Sequence, residues 1–208
     1  MLLYPLSLRE RAGCKERSEL HRCYLSAKRC NALRLLHPAS NPYTTGCYCL
    51  RLEFNTIDLE RDYELCVQAR RDAYFCSFHT HDCFADFIDG YRERIRERLG
   101  QAQWHYLHVW AGEQLVGQLE FRSFSDEPET GYVQLIYLFP EYRGTGLAAV
   151  LQAYIRQQLL GAGCNWAMLS VSRTNVRALN HYRRFGWVFL RPNPKHQEPD
   201  FYRLTLAE

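Results

Sequence analysis

The chain has 208 residues, carries 26 Lys/Arg against 23 Asp/Glu for a net charge of +3, and is 47% apolar. That length fits one domain with room for a tail, and that apolar content is ordinary for a chain with a packed core. No run of 18 apolar residues exists, so no transmembrane helix is predicted; the opening MLLYPLSL is too short for a secretory apolar region; and nine cysteines, an odd count at irregular spacing, make a poor disulfide framework.

These features predict a cytoplasmic protein with reduced thiols. Cys66 and Cys164 fall among apolar residues of regular elements and read as core thiols. The charge is unevenly spread. Residues 1–50 hold eight Lys/Arg against three Glu, a net +5, which leaves −2 for the rest. Residues 142–197 contain no Asp or Glu but eight cations: Arg143, Arg156, Arg173, Arg177, Arg183, Arg184, Arg191 and Lys195. A block of one sign points to a polyanionic partner.

In chain order, residues 1–45 show no sustained helical or strand period. They are expected to be a weakly ordered, basic, cysteine-containing extension, with residues 46–208 as the folded domain. Glu10, Glu16 and Glu19 argue against a mitochondrial presequence. The five cysteines before Leu50 lack the C-x-x-C spacing of a zinc site. CYCLRLEF (47–54) alternates as a strand does. Asp58 is a candidate N-cap for a helix with Leu59, Tyr63, Cys66 and Val67 on one face. FADFIDGYRERIRERL (84–99) reads as a second helix through Phe84, Phe87, Ile88, Tyr91 and Ile95.

WHYLHVW (104–110), the turn AGE and QLVGQLEF (114–121) read as a hairpin, and GYVQLIYLF (131–139) as a long apolar strand. Leu147, Val150, Leu151, Tyr154, Ile155 and Leu159 form the stripe of a helix expected to stop at Gly161. WAMLSVS (166–172) is a strand, VRALNHYRRF (176–185) a short helix stopped by Gly186, WVFL (187–190) a strand and FYRLTL (201–206) a closing strand. The order βααβββαβαββ predicts an α/β (α+β) domain, a mixed sheet with helices on its faces.

The stretch FPEYRGTGLAAVLQAY (139–154) sets two glycines between a strand and a helix start, an arrangement suited to a phosphate. GTGLAA matches G-x-G-x-x-A, but Pro140, Glu141, Tyr142 and Arg143 intervene after the strand. No acid follows until Glu198, so a dinucleotide fold is excluded. No G-x-x-x-x-G-K-[ST] exists. What remains is Arg143-x-x-Gly146-x-Ala148. Downstream lies Asn175-x-x-Ala178-x-x-x-Tyr182-x-x-x-Gly186-Trp187.

These two blocks, with a helix and a strand between them, resemble the signatures of the GNAT superfamily of acyl-CoA-dependent N-acetyltransferases. The likeness extends over about residues 47–206. It implies a central, mostly antiparallel sheet splayed between the fourth and fifth strands. It also implies acetyl-CoA as co-substrate, no metal, and direct transfer to a primary amine in a ternary complex. The expected cofactor-binding set is Leu138, Arg143, Gly144, Thr145, Gly146, Leu147, Ala148 and Asn175. The backbone around Leu138 is expected to meet the pantetheine arm and supply an oxyanion donor.

Tyr182 stands where similar proteins place the acid that protonates the leaving thiolate. A tyrosine near ~10 matches that task with modest driving force. The base is left open among Glu120, Glu129 and, as a residue that orients water, Gln134. AYFCSFHTHDCF (73–84) is expected to wall the acceptor pocket, with His79, His81 and Cys83 as loop residues rather than ligands. The acceptor itself stays open: a protein N-terminus, a lysine, a polyamine, an aminoglycoside or an amino acid. Two other readings remain, a GNAT-fold protein that binds acyl-CoA without turnover and a basic nucleic-acid-binding module.

Overall fold

A computed structural model describes residues 51–194, 196 and 198–207. The expected extension, residues 1–45, and the first part of the expected strand, residues 47–50, lie outside the described residues. The described chain opens with strand β1, Leu52–Thr56, and helix α1, Leu59–Phe78. Asp58 caps α1 as its side chain predicts, accepting from the backbone N–H groups of Glu60 and Arg61.

The helix expected over 84–99 is two helices, α2 (Phe84–Ile88) and α3 (Tyr91–Arg98). Asp89 is extended and Gly90 is left-handed, at φ 62, so the turn between them is broken. The apolar spacing runs through the break unchanged, which is why periodicity reads one helix.

The hairpin is as expected: β2, Trp104–Ala111, and β3, Gln114–Arg122, antiparallel along their length. Strand β4, Thr130–Leu138, comes next and is antiparallel to β3. A short 3-10 turn, Pro140–Tyr142, leads to helix α4, Leu147–Gly161. That helix ends at Gly161, where the sequence reading stops it, and Gly163, at φ 82, makes the turn that follows. Strand β5, Trp166–Ser172, matches its sequence reading, and α5, Val176–Arg184, β6, Val188–Pro192, and β7, Pro199–Thr205, complete the order.

These strands form one sheet in the order β1-β2-β3-β4-β5-β7-β6. Every pairing is antiparallel except β4 with β5. A parallel pair needs a crossover, and α4 supplies it. Leu151, Ile155 and Leu159 of α4 are at most 2% exposed and pack with Val133, Phe121 and Leu169 on one face of the sheet. Truncating Leu159 to Ala is worth about 2–5 kcal/mol on that account. The other face is covered by α1 and α3, through Cys66, Tyr91, Ile95 and Tyr106. Cys66 and Cys164 are free and buried. Among the described residues no helix is long and apolar enough to cross a membrane.

Two irregularities in β4 shape a crevice in the sheet. Between Glu120↔Leu135 and Phe121↔Val133 the register slips by one, so Gln134 is a bulge. Val133 therefore faces the α4 side while Leu135 and Tyr137 join Ala69 of α1 on the other. Pairing with β5 ends at Val133↔Leu169. Beyond it the two parallel strands diverge, which is the splay expected between the fourth and fifth strands.

Candidate active site

The open wedge lies at the carboxyl ends of β4 and β5, where an α/β sheet leaves a crevice for ligands. Antiparallel hydrogen bonding fixes which backbone groups face it. Phe139 N–H bonds the Val116 carbonyl at 3.1 Å, so Tyr137 and Leu135 likewise face β3. Ile136 and Leu138 then direct their N–H and C=O groups to the opposite edge, the one β5 has left.

Above this edge the chain turns through the 3-10 turn into α4. Gly144 and Gly146 sit at φ 78 and φ 93, which a side chain resists. Thr145 Oγ1 donates to the Tyr142 carbonyl at 2.6 Å and tightens the turn. The N–H groups of Gly144, Thr145, Gly146, Leu147 and Ala148 meet no acceptor among the described residues. No acid occupies the first turn of α4. Five unpaired donors at the positive end of a fifteen-residue helix make a seat for a phosphate-bearing group.

Arg143 is used differently. Its N–H bonds the Pro140 carbonyl at 3.3 Å, and its side chain turns inward. Nε donates to the Leu138 carbonyl at 2.9 Å, and a terminal nitrogen pairs with Asp72 of α1. The Tyr137 hydroxyl donates to the same carboxylate at 2.9 Å.

Asn175 is the N-cap of α5, its Oδ1 accepting from Ala178 N–H at 3.1 Å. Its Nδ2 donates to Ser77 Oγ at 3.3 Å. Tyr182 packs with Leu138, Leu147 and Ala148 against the main core cluster, its ring edge-on to Trp187 at 5.7 Å. Its hydroxyl meets no partner among the described residues, and burial pushes it up to about 12.

The three candidates for the base are placed apart. Glu120 is 1% exposed and sealed by Arg70, Tyr91 at 2.6 Å and Gln118 at 2.8 Å. Glu129 precedes β4 at the end away from the wedge and holds Asn165 at 2.8 Å. Gln134 forms the bulge, with its carbonyl 3.4 Å from Arg70. A second buried set, Cys66, His108 and Asp62, has the order of a nucleophilic triad. It lies sealed under α1, and burial pushes the thiol up to about 12, so it is core.

His79 closes α1 and His81 stacks on Phe75 at 5.0 Å, while Cys83 is exposed. Among the described residues no group of three or more His, Cys, Asp or Glu side chains is arranged so that it could hold a metal ion. The basic block is partly neutralised from outside itself. Arg143 pairs with Asp72, Arg173 with Asp200 at 2.8 Å, and Arg191 with Glu127 at 2.7 Å. Asp72, Tyr137, Ser77 and Thr174 are the wedge neighbours that sequence reading missed. Nothing in an isolated helix pattern marks a residue that meets a loop some seventy to a hundred positions away.

A splayed parallel pair, a bulged β4 and a glycine turn with unpaired N–H groups define an acyltransferase fold of the N-acetyltransferase class. The Acetyltransferase (GNAT) family matches residues 63–187, and the chain belongs to that family. Solved structures agree in fold. The Paia N-acetyltransferase of Thermoplasma acidophilum, in complex with coenzyme A, superposes with a TM-score of 0.62 at 16% identity, over 74% of this chain and 99% of that one. An acetyltransferase of Thermus thermophilus gives 0.61 at 15%, over 75% and 97%. The spermidine N-acetyltransferase of Vibrio cholerae, in complex with coenzyme A and spermine, gives 0.57 at 16%, over 74% and 95%.

Proposed function

We propose that the chain transfers an acyl group, acetyl in the first instance, from an acyl-CoA thioester to a primary amine, with both substrates bound at once in the β4–β5 wedge. The observation that carries this reading is the run of five unpaired N–H groups from Gly144 to Ala148. The residues fit a pyrophosphate: no Cβ at Gly144 or Gly146 narrows the turn, and α4 adds its dipole. Acyl-CoA, when bound, supplies a carbonyl already activated toward amines. Support for CoA and for an amine comes from the relatives crystallised with coenzyme A and with spermine.

The chain's own groups divide the remaining work. Ile136 and Leu138 carry N–H groups on the edge β5 has left, where they can donate to developing negative charge. Tyr182, pushed up to about 12, stays protonated at neutral pH. Full proton transfer from it to a thiolate near ~8.5 is uphill, so its part is to donate a hydrogen bond to the departing sulfur. Asn175 fixes the start of α5 and so the height of Tyr182.

The deciding experiment is thiol release from acetyl-CoA in the presence of a peptide N-terminus, a lysine peptide, a polyamine, an aminoglycoside and an amino acid, beside CoA calorimetry. Acceleration by one class supports transfer and names the acceptor. CoA binding without acceleration by any amine favours a non-catalytic acyl-CoA binder, and absence of CoA binding removes the reading altogether.

A further inference from the structure

Helix α1 grips both ends of the β4 stretch that borders the wedge. At the bulge, Arg70 bonds Glu120 through Nε at 2.9 Å and reaches the Gln134 carbonyl at 3.4 Å. Half a turn further along, Asp72 takes a hydrogen bond from Tyr137 at 2.9 Å and pairs with Arg143. The Arg143 fork carries that hold onward to the Leu138 carbonyl at 2.9 Å. Leu138 lies on the edge β5 has left, so this carbonyl has no strand partner there. Left uncapped, it would set a negative dipole beside the N–H groups that a substrate carbonyl must approach.

We propose that Asp72 is a positioning residue for acyl transfer, which locks the Arg143 guanidinium onto the Leu138 carbonyl and so keeps the free edge of β4 a donor surface. The inference rests on the acyl-transfer reading of this site. Asp72 acts through Arg143 and touches no substrate. The planar fork matters because two separate nitrogens, Nε and a terminal one, reach the carbonyl and the carboxylate at once; a lysine ammonium offers a single nitrogen and cannot reproduce that span. The side chains of Asp72 and Arg143 are 31% and 19% exposed, so the pair is not a fully desolvated core ion pair, and its removal is compatible with a folded chain.

The test compares wild type with Asp72→Ala, Arg143→Lys and the double variant in the full chain. Thiol release from acetyl-CoA, CoA calorimetry and amide exchange of the peptide 135–139 are the readouts. Loosening this edge is expected to lower the rate about tenfold, since misplacement by an ångström costs up to about a hundredfold. The Kd for CoA should stay within about threefold, because the phosphate seat is the backbone of 144–148. The double variant should be no slower than either single one, the mark of residues acting as one unit. Exchange at 135–139 should rise in all three.

Additive losses in the double variant, or wild-type rates in either single one, overturn the proposal. If Asp72→Ala merely unfolds, Arg143→Lys decides: it keeps the charge pair, so a full rate there also overturns it. Failure of the underlying reading looks different, since wild type itself would then neither bind CoA nor release thiol.

Discussion

The Thr174 hydroxyl donates to the Ser77 carbonyl at 2.6 Å, joining residues 97 apart in sequence. Ser77 lies in the last turn of α1, where carbonyls lack intrahelical donors, and Thr174 lies in the turn between β5 and α5. With Asp72 at the β4 side, α1 thereby touches both arms of the wedge. Thr174→Val removes the donor and keeps the shape. The bond is exposed, so the expected cost is about 0.5–1 kcal/mol, or a melting point lower by about 1–4 °C. An unchanged melt would show that the tie adds nothing to stability.

Gly146→Asp is expected to abolish CoA binding in calorimetry. The position sits at φ 93, so any side chain strains the turn, and this one adds negative charge at the phosphate seat. Gly146→Ala carries the strain without the charge and should lose less affinity. Equal losses in the two variants would assign the effect to backbone strain alone.

Tyr182→Phe should leave CoA affinity within about twofold, because the ring and its contact with Trp187 persist. Turnover should fall by about tenfold or less. General acid catalysis is worth about 10²–10⁴-fold where a proton is fully transferred, and a hydroxyl pushed up to about 12 gives only a hydrogen bond. Full activity would leave Tyr182 as a packing residue, and a thousandfold loss would mean its proton does move.

Stability should fall in mild acid. Burial holds the imidazoles of His105, His108 and His181 below the ordinary value, in His108 against the pull of Asp62 and in His181 aided by Arg184. The unfolded chain takes up these protons near pH ~6.5 while the folded chain does so only lower. Above pH ~6.5 these histidines are neutral in both states and give no slope; below it, stability declines. The Arg61 hydrogen bond holds Asp62 below its ordinary range, which adds a second loss below pH ~4. Urea midpoints at pH 7.5, 6.5 and 5.5 measure the first window, and His108→Gln should lessen the slope, leaving the share of His105 and His181. A level midpoint across that range would contradict neutral, buried imidazoles.

A chain starting at Gly46 is expected to melt within a few degrees of the full chain and to bind CoA equally well, since residues 1–45 carry no period that would join them to the core. Calorimetry on both chains checks this, and loss of folding would make the cysteine-containing extension structural.

What the sequence determined by itself is local and periodic. The stripe of α4, the cap at Asn175, the limits of β5 and the glycine turn at 144–146 are all written in residues within a few positions of one another, where backbone sterics and amphipathic spacing act. Periodicity could not see the break at Asp89–Gly90, because Phe84, Ile88, Tyr91 and Ile95 keep helical spacing across it. The tertiary structure alone decided the rest. Gln118 and Glu120 alternate with apolar residues as a solvated strand face would, yet α1 and α3 cover them and supply Arg70 and Tyr91 as partners. The bulge at Gln134 depends on the register of two strands, and the wedge on where β4 and β5 part. The capping of Leu138 by Arg143, and of Arg143 by Asp72, joins groups 5 and 71 residues apart. Such contacts are set by how the helix lies across the sheet, which no local propensity encodes.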